Sequence, residues 1–458
     1  MIRLLLILPV IVFTSCSFDN KTGIWNDISN IPVDNQTTES ITNNKPGQRY
    51  EEIFTKNKIF DEEIESINSS NIVNTKPVKM INWFEEYATP SNNISNFFYS
   101  DNKILLSKSS RLNKNPFRGG YTSNKKIVFY KDNLIYHDYK GTIFIYSLKL
   151  NKKIFKYNFY KKNFKNIKKK INFIINDNVL FAADNLGYFY ALNLNNNTII
   201  WAKNYGIPFR SNIKFANKQI FLANQDNVIY SIDPNTGDKN WQFSTSLTFL
   251  KSNFENNLSL DEINNNLFFL NTSGELYSIN YANKKINWVL NFKNSTSSKD
   301  TELFLSHPLI VKNNNLIITT DSKILSYNSN TAMKNWSFSA EPIFKPIITL
   351  NNTYALLKNN LLICLDNKDG TVIWSKNIFK IDKNKKIKKK FNPIIDFKIV
   401  NGEINVYSNN GHLLSFNSKS GDLNYQSRIS KNGITSAIVF LNENMLFIDK
   451  SNKLLKFN

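Results

Sequence analysis

YSIDPNTGDKNW (230–241) sets the reading of the whole chain. It starts as a short strand, breaks at Asp233-Pro234 into a tight turn of Asn, Thr and Gly, and resumes as a strand carrying Trp241. Asp or Asn with Gly makes such a turn, because both tolerate the backbone it requires. The pattern returns as YSINYANKKINW (277–288), LSYNSNTAMKNW (325–336), ICLDNKDGTVIW (363–374) and LSFNSKSGDLNY (414–425). Earlier copies are IYSLKLNKKIFKY (145–157) and YALNLNNNTIIW (190–201). The aromatics fall at Phe155, Trp201, Trp241, Trp288, Trp336, Trp374 and Tyr425, a mean spacing of 45 residues. A fixed period of this length marks a chain built from repeated modules.

Each copy follows another hairpin, as in VLFAADNLGYFYAL (179–192), IFLANQDNVIYSI (220–232), LFFLNTSGELYSI (267–279) and INVYSNNGHLLSF (404–416). Apolar residues alternate in these segments, so the local period is 2 and helical solenoids are excluded. Turns such as Ser273-Gly274 and Asn410-Gly411 join the strands, and Asn-Gly predicts a type I′ turn. One repeat therefore holds four strands, A to D, which form one blade of a β-propeller. Seven copies carry both hairpins. The C-terminal ITSAIVFLNENMLFIDKSNKLLKFN (434–458) supplies A, B and C but no D. Upstream, MINWFEEYA (80–88) is a lone strand with Trp83 at the anchor position. It is expected to pair with the residues near Phe457, complete the last blade and hide an open edge. The fold class is thus all-β: an eight-bladed propeller of four-stranded antiparallel blades over residues 81–458, closed by an N-terminal strand. The anchor aromatics are expected between adjacent blades, where they bury a large area.

The 458 residues carry 58 Lys+Arg against 36 Asp+Glu, a formal net charge of +22. Such a field favours anionic partners. Asn is roughly one residue in six, and Lys, Ile, Phe and Tyr are frequent, so codon usage supplies part of that charge. Two runs concentrate it, KKNFKNIKKK (161–170) and KNKKIKKK (383–390). Both fall in D-to-A connectors, which emerge on one face of a propeller, so one positive face is expected. The two cysteines, Cys16 and Cys364, exclude a disulfide framework and a Cys-rich zinc site. His137, His307 and His412 lack the spacing of a metal motif.

The chain opens MIRLLLILPVIVFTSC (1–16). Arg3 begins an apolar stretch, Leu4 to Phe13, too short to span a bilayer. Thr14-Ser15-Cys16 resembles a bacterial lipobox, with Phe13 where Leu is usual. The resemblance implies a signal peptide over 1–15 and acyl chains on Cys16 that hold the protein to a membrane. Ser17 rather than Asp after the cysteine resembles outer-membrane sorting, with the body facing the periplasm. Residues 16–80 are polar and read as a flexible tether, with a short amphipathic helix over 49–67. Export makes nucleic-acid binding, otherwise compatible with the charge, an unsuitable reading.

Asp233, Thr236, Gly237 and Trp241 match the D-x-x-T-G-x-x-x-W core of the pyrroloquinoline-quinone-like repeat, and Asp366, Gly370 and Trp374 repeat it with Asp369 in place of Thr. Other copies are degenerate: Asn often replaces Asp, and Gly is missing before Trp201, Trp288 and Trp336. The resemblance covers residues 80–458 and reaches two families. One is the quinoprotein dehydrogenases. The other is the BamB-type lipoproteins of the outer-membrane β-barrel assembly machinery, also eight-bladed propellers. The lipobox, the tether and little else beyond the propeller resemble the second.

That resemblance implies a non-catalytic scaffold that binds the barrel-forming subunit through its periplasmic POTRA domains and assists insertion of β-barrel proteins. BamB-type proteins carry a Leu-x-Leu-Arg contact segment shortly after a blade Trp. WAKNYGIPFRS (201–211) places Ile207, Phe209 and Arg210 there, the composition of a binding hot spot. The family's acidic pair in the next connector is reduced to Glu255 in SLTFLKSNFENN (246–257). Blade edges also suit strand addition by unfolded barrel precursors. A dehydrogenase would need an aromatic floor, a calcium ion held by 6–8 oxygens and a catalytic Asp. No such constellation separates from the turn acids Asp233 and Asp366, and no adjacent Cys pair, GxSxG, P-loop or HExxH motif is present. No cofactor, metal or catalytic residue is therefore expected. An adaptor for other envelope assembly is the remaining alternative.

Overall fold

The computed structural model describes residues 58–66, 72–73, 75–93, 96–112, 127–160, 164, 166–246, 258–292, 304, 306–380 and 391–458, together with strand backbone at 17–18, 25–26 and 48–50. The chain divides into Met1–Lys45 and Pro46–Asn458. In the first unit Ser17–Phe18 pairs antiparallel with Trp25–Asn26. Cys16, the stretch 1–15 and the basic run 383–390 lie outside the described residues.

In the second unit the described strands form eight four-stranded sheets, one of which carries a fifth strand. Blade 1 consists of Val128–Tyr130, Asn133–His137, Thr142–Ser147 and Lys152–Asn158, taken as A to D. Blades 2 to 7 repeat this order, ending with D strands Thr198–Asn204, Lys239–Ser244, Lys285–Asn291, Lys334–Ser339, Val372–Asn377 and Leu423–Arg428. Strands A to C are almost wholly buried, whereas D strands are mostly exposed or half-buried. Each blade thus faces the axis with A and the rim with D.

The repeat motif is one docking device used many times. In blades 1 to 7 the C–D register skips one residue immediately before the anchor aromatic. Such a bulge re-aims the next side chain. The indole N–H of Trp201 then donates to Pro234 O on the following blade's C–D turn at 2.9 Å. Trp288, Trp336 and Trp374 donate likewise to Ser329 O, Asn367 O and Ser418 O. A Cβ on Gly237 would stand 2.7 Å from Trp201, one on Gly370 2.8 Å from Trp336 and one on Gly421 2.5 Å from Trp374. The glycine therefore serves its turn, at φ +71 to +75, and also makes room for the neighbour's tryptophan. Copies without Gly keep the left-handed backbone at Asn151, Asn197, Lys284 and Ala332. Trp241, whose neighbouring turn carries Lys284, instead donates to Gln219 in its own blade. The turn acid is equally interchangeable: Asp233, Asn328, Asp366 and Asn417 each accept the N–H two residues on.

Three local expectations are corrected. The strand that fills the last blade is Leu105–Lys108, paired antiparallel with Leu454–Phe457, not the segment around Trp83. Residues 80–88 end in Ala88 at positive φ and a run of turns, which a rim strand cannot accommodate. The turn at Asn410-Gly411 is not type I′. Only Gly411 has positive φ, and its N–H returns to Ser408 O at 3.0 Å, because the loop is longer than two residues. The third concerns the tether. Among its described residues, 58–66 form no helix and lie on the rim. Phe60 N–H donates to Ser339 O and Ile64 bridges Ser375. Lys380 pairs with Glu63 at 3.0 Å, and Gln48–Tyr50 adds in parallel to Val289–Asn291. Open D edges offer unpaired backbone groups, and an adjacent polar chain satisfies them.

Candidate functional site

Two places bear on function: the axis of the ring and the connector between blades 2 and 3. The axis is occupied by the chain itself. Residues 78–99 hydrogen-bond to the inner part of every blade. Trp83 and Phe129 exchange backbone bonds at 3.1 and 2.8 Å in blade 1, and Ile175 N–H donates to Phe84 O in blade 2. Leu260 N–H reaches Pro90 O in blade 4 and Val311 N–H reaches Ser91 O in blade 5. The Asn92 side-chain amide donates to both Leu258 O and Leu309 O at 2.8 Å. Asn93 exchanges two bonds with Ile348 of blade 6. Phe97 N–H donates to Ile399 O in blade 7, and Asn442 N–H to Met80 O in blade 8. Blade 3 contributes Lys214, fully buried, whose ammonium pairs with buried Glu85 and bonds Asn92 Oδ1 at 2.6 Å. Burial pushes the Glu85 carboxyl up and the Lys214 amine down, and each opposes the other's shift. Only a segment lying on the axis can reach eight inner strands within so few residues.

Beside this segment, on the side where the connectors between blades run, a cavity of about 530 Å³ is lined by Trp83, Phe97, Phe344, Lys345, Asp396 and Lys398 among others. Trp83 and Phe97 stack there with ring centres 5.6 Å apart. A calcium-held quinone does not fit these groups. The Asp396 carboxylate is already 3.0 Å from the Lys398 ammonium. Lys345 adds a second ammonium where calcium would need a shell of oxygens. Among the described residues no three His, Cys, Asp or Glu side chains gather closely enough to hold a metal.

The connector between blades 2 and 3 follows the D strand Thr198–Asn204. Tyr205 turns back onto blade 3 through a bond from its hydroxyl to Gly237 O at 2.5 Å. The backbone of Ile207 then crosses Gly187 so closely that a Cβ there would lie 3.0 Å away. The three residues singled out in the sequence part company at this point. Phe209 is only 3% exposed; it packs on Phe189, Tyr205 and Tyr230 and bridges Asn224. It is a core residue between two blades, not an exposed anchor. Ile207 and Arg210 are half-exposed, and the Arg210 Nε is buried without a hydrogen-bond partner. In the 161–170 run, Lys168 and Lys170 are exposed. Lys169, in contrast, is 3% exposed and turns inward, its ammonium on Phe164 O and 5.0 Å from the Tyr160 ring centre.

A family model described as outer membrane protein assembly factor BamB matches residues 166–376 and 263–457. The chain belongs to the BamB family. The crystal structure of BamB from Moraxella catarrhalis superposes with a TM-score of 0.55 at 13% identity, covering 78% of this chain and 97% of that one. Quinohemoprotein alcohol dehydrogenase from Comamonas testosteroni gives 0.59 at 6% identity, with 86% and 83% covered, and the computationally designed Ika8 protein 0.53 at 9%, with 76% and 98% covered. At these identities the likeness is one of fold, shared by an assembly factor, an enzyme and a designed protein. No curated protein sequence matches the chain.

The axial residues were not legible beforehand. Asn92 and Asn93 look like two more of many asparagines, and their partners are backbone groups more than 150 residues away. Lys214, a lone charge inside the inner strand Lys214–Ala216, was the one signal available.

Proposed function

We propose that this protein is a non-catalytic scaffold at the periplasmic face of the outer membrane, anchored through Cys16, that binds the barrel-forming subunit of the assembly machinery through its POTRA domains. Membership of the BamB family and the half-exposed pair Ile207 and Arg210 support the reading. The observation that carries it is Arg210, whose Nε is buried and unpaired on a half-exposed connector. A buried guanidinium nitrogen without an acceptor is costly alone, and a carboxylate or carbonyl meeting the accessible part of the guanidinium would offset that cost. Phe209 supports this pair from beneath by fixing the connector in the core. Occupation of the axis by residues 78–99 and the cation-rich cavity beside it favour a scaffold over a dehydrogenase. Rim edges open to strand addition suit handling of unfolded barrel precursors. The test is photocrosslinking in cells from a reactive residue placed at Ile207. The expected product contains the barrel-forming subunit and disappears with Arg210→Glu. No adduct from positions 207 and 210, with adducts elsewhere on the ring, refutes this surface.

A further inference from the structure

The cavity beside the axis has a size typical of small-molecule sites, and its lining includes the carboxylates of Glu86 and Asp396 and the amines of Lys345 and Lys398. Asp396 holds Lys398 at 3.0 Å, and its Oδ2 also accepts the Ile438 N–H at 3.2 Å. Lys345, in the connector before blade 6, faces the same space. Its ammonium lies 5.2 Å from the Tyr87 ring centre and has no ion-pair partner among the described residues. Opposing charge from Asp396 and Glu86 is offset by Lys398 and Lys214, and burial brings the amine down to about 7. His307, a further titratable group on the wall, bonds Pro342 O at 3.2 Å, and burial lowers its pKa. The remaining walls are mixed: Trp83 stacked on Phe97, with Tyr87 and Phe344, form the aromatic part, and Glu86, Asn409 and Ser436 contribute polar groups.

We propose that this cavity is a binding site for a ligand bearing a carboxylate on an aromatic body, the carboxylate seated on Lys345 and the ring against the Trp83 and Phe344 walls. A carboxylate supplies the direct ion pair that Lys345 does not make among the described residues, and charge-assisted bonds in a sheltered site are the strong ones. The aromatic body replaces water on walls that cannot hydrogen-bond to it. A free aromatic acid and the C-terminal residue of a peptide present the same chemistry. This site does not rest on the partner-binding reading.

The test is calorimetric titration of the full-length protein with N-acetylphenylalanine, its amide, and a short peptide ending in phenylalanine with a free carboxyl group. The acid is expected to bind and the amide to bind at least about tenfold more weakly, the effect of losing one charged hydrogen bond. Lys345→Gln should weaken the acid by a similar factor, whereas Lys345→Arg should retain binding. Affinity should fall as pH is raised above the amine's value of about 7. Binding of the peptide equal to that of the acid assigns the site to a chain terminus. Binding of the acid alone assigns it to a free small molecule. Absence of acid binding at millimolar concentration, equal binding of acid and amide, or unchanged binding by a folded Lys345→Gln protein overturns the proposal. The acid–amide comparison stands even where the variant fails to fold.

Discussion

Replacing Glu85 by Gln strikes the pin between blade 3 and the axial segment. The native Lys214 ammonium is fully buried and has three acceptors: the Glu85 carboxylate, Asn92 Oδ1 at 2.6 Å and Thr89 O at 3.3 Å. Gln keeps the shape but removes the one negative charge paired with it among the described residues, leaving a buried cation on neutral oxygens. Breaking a buried pair from one side costs about 3–5 kcal/mol. An unfolding entropy of about 2.1 cal/mol/K per residue over a body of roughly 380 residues gives about 0.8 kcal/mol/K, so the melting temperature should fall by roughly 4–6 °C. The deficit should also depend on pH. Burial already holds the Lys214 amine below its ordinary value, and loss of Glu85 lowers it further. The folded state then binds fewer protons than the unfolded chain, whose lysines titrate near ~10.4. The variant therefore regains stability as pH rises through the interval between those two values. Glu85→Leu combined with Lys214→Met, which removes both charges, should recover much of the loss. Calorimetric melts of the three proteins between neutral and alkaline pH measure this. A Glu85→Gln protein that melts within about one degree of the native chain, with no pH trend, would refute the axial assignment.

Gly421→Ala forces a side chain onto a residue at φ +75 and places a methyl 2.5 Å from Trp374; a loss of about 2–4 kcal/mol is expected in urea unfolding. Ala332→Gly, at φ +58 in the equivalent turn, should stay within about 1 kcal/mol of the native protein. Phe209→Ala should behave as a core truncation, costing about 3–5 kcal/mol in the same assay, whereas Ile207→Asp should leave the melt unchanged and reduce recovery of the barrel-forming subunit. Substituting Lys168, Lys170 and lysines 388–390 with Gln should weaken flotation with anionic vesicles in low salt and lose its effect in high salt; unchanged flotation would show these lysines to be solvated bystanders.

The repeat was legible because its signals are local. Turn chemistry at Asp233 and Gly237 and the recurring Trp act within one module and against its neighbour, so a period of 45 residues carries the architecture. What was hidden is long-range and made by backbone. Leu105–Lys108, short and exposed throughout, has no apolar alternation to mark it as the strand that pairs with Leu454–Phe457. Trp83 was drawn to an anchor role by its residue type. The segment that follows it, with Pro90 and Asn92-Asn93, is irregular because it meets eight strand edges in turn and needs polar side chains for them. The segment 201–211 lies between blades 2 and 3 as expected, but Phe209 within it is a core residue, since an apolar residue between blades looks the same in sequence whether it faces a partner or the core. The acidic stretch Asp61-Glu62-Glu63 reads as solvated tether in isolation; its basic counterpart at Lys380 lies over 300 residues away.

The most direct measurement is isolation of the tagged full-length protein with its native membranes, followed by identification of the proteins that come with it. Barrel-forming and other assembly subunits are the predicted companions, retained in mild detergent and reduced by Arg210→Glu. Recovery of components of a different envelope pathway, or of quinone-dependent dye reduction with no assembly subunit present, would contradict the account.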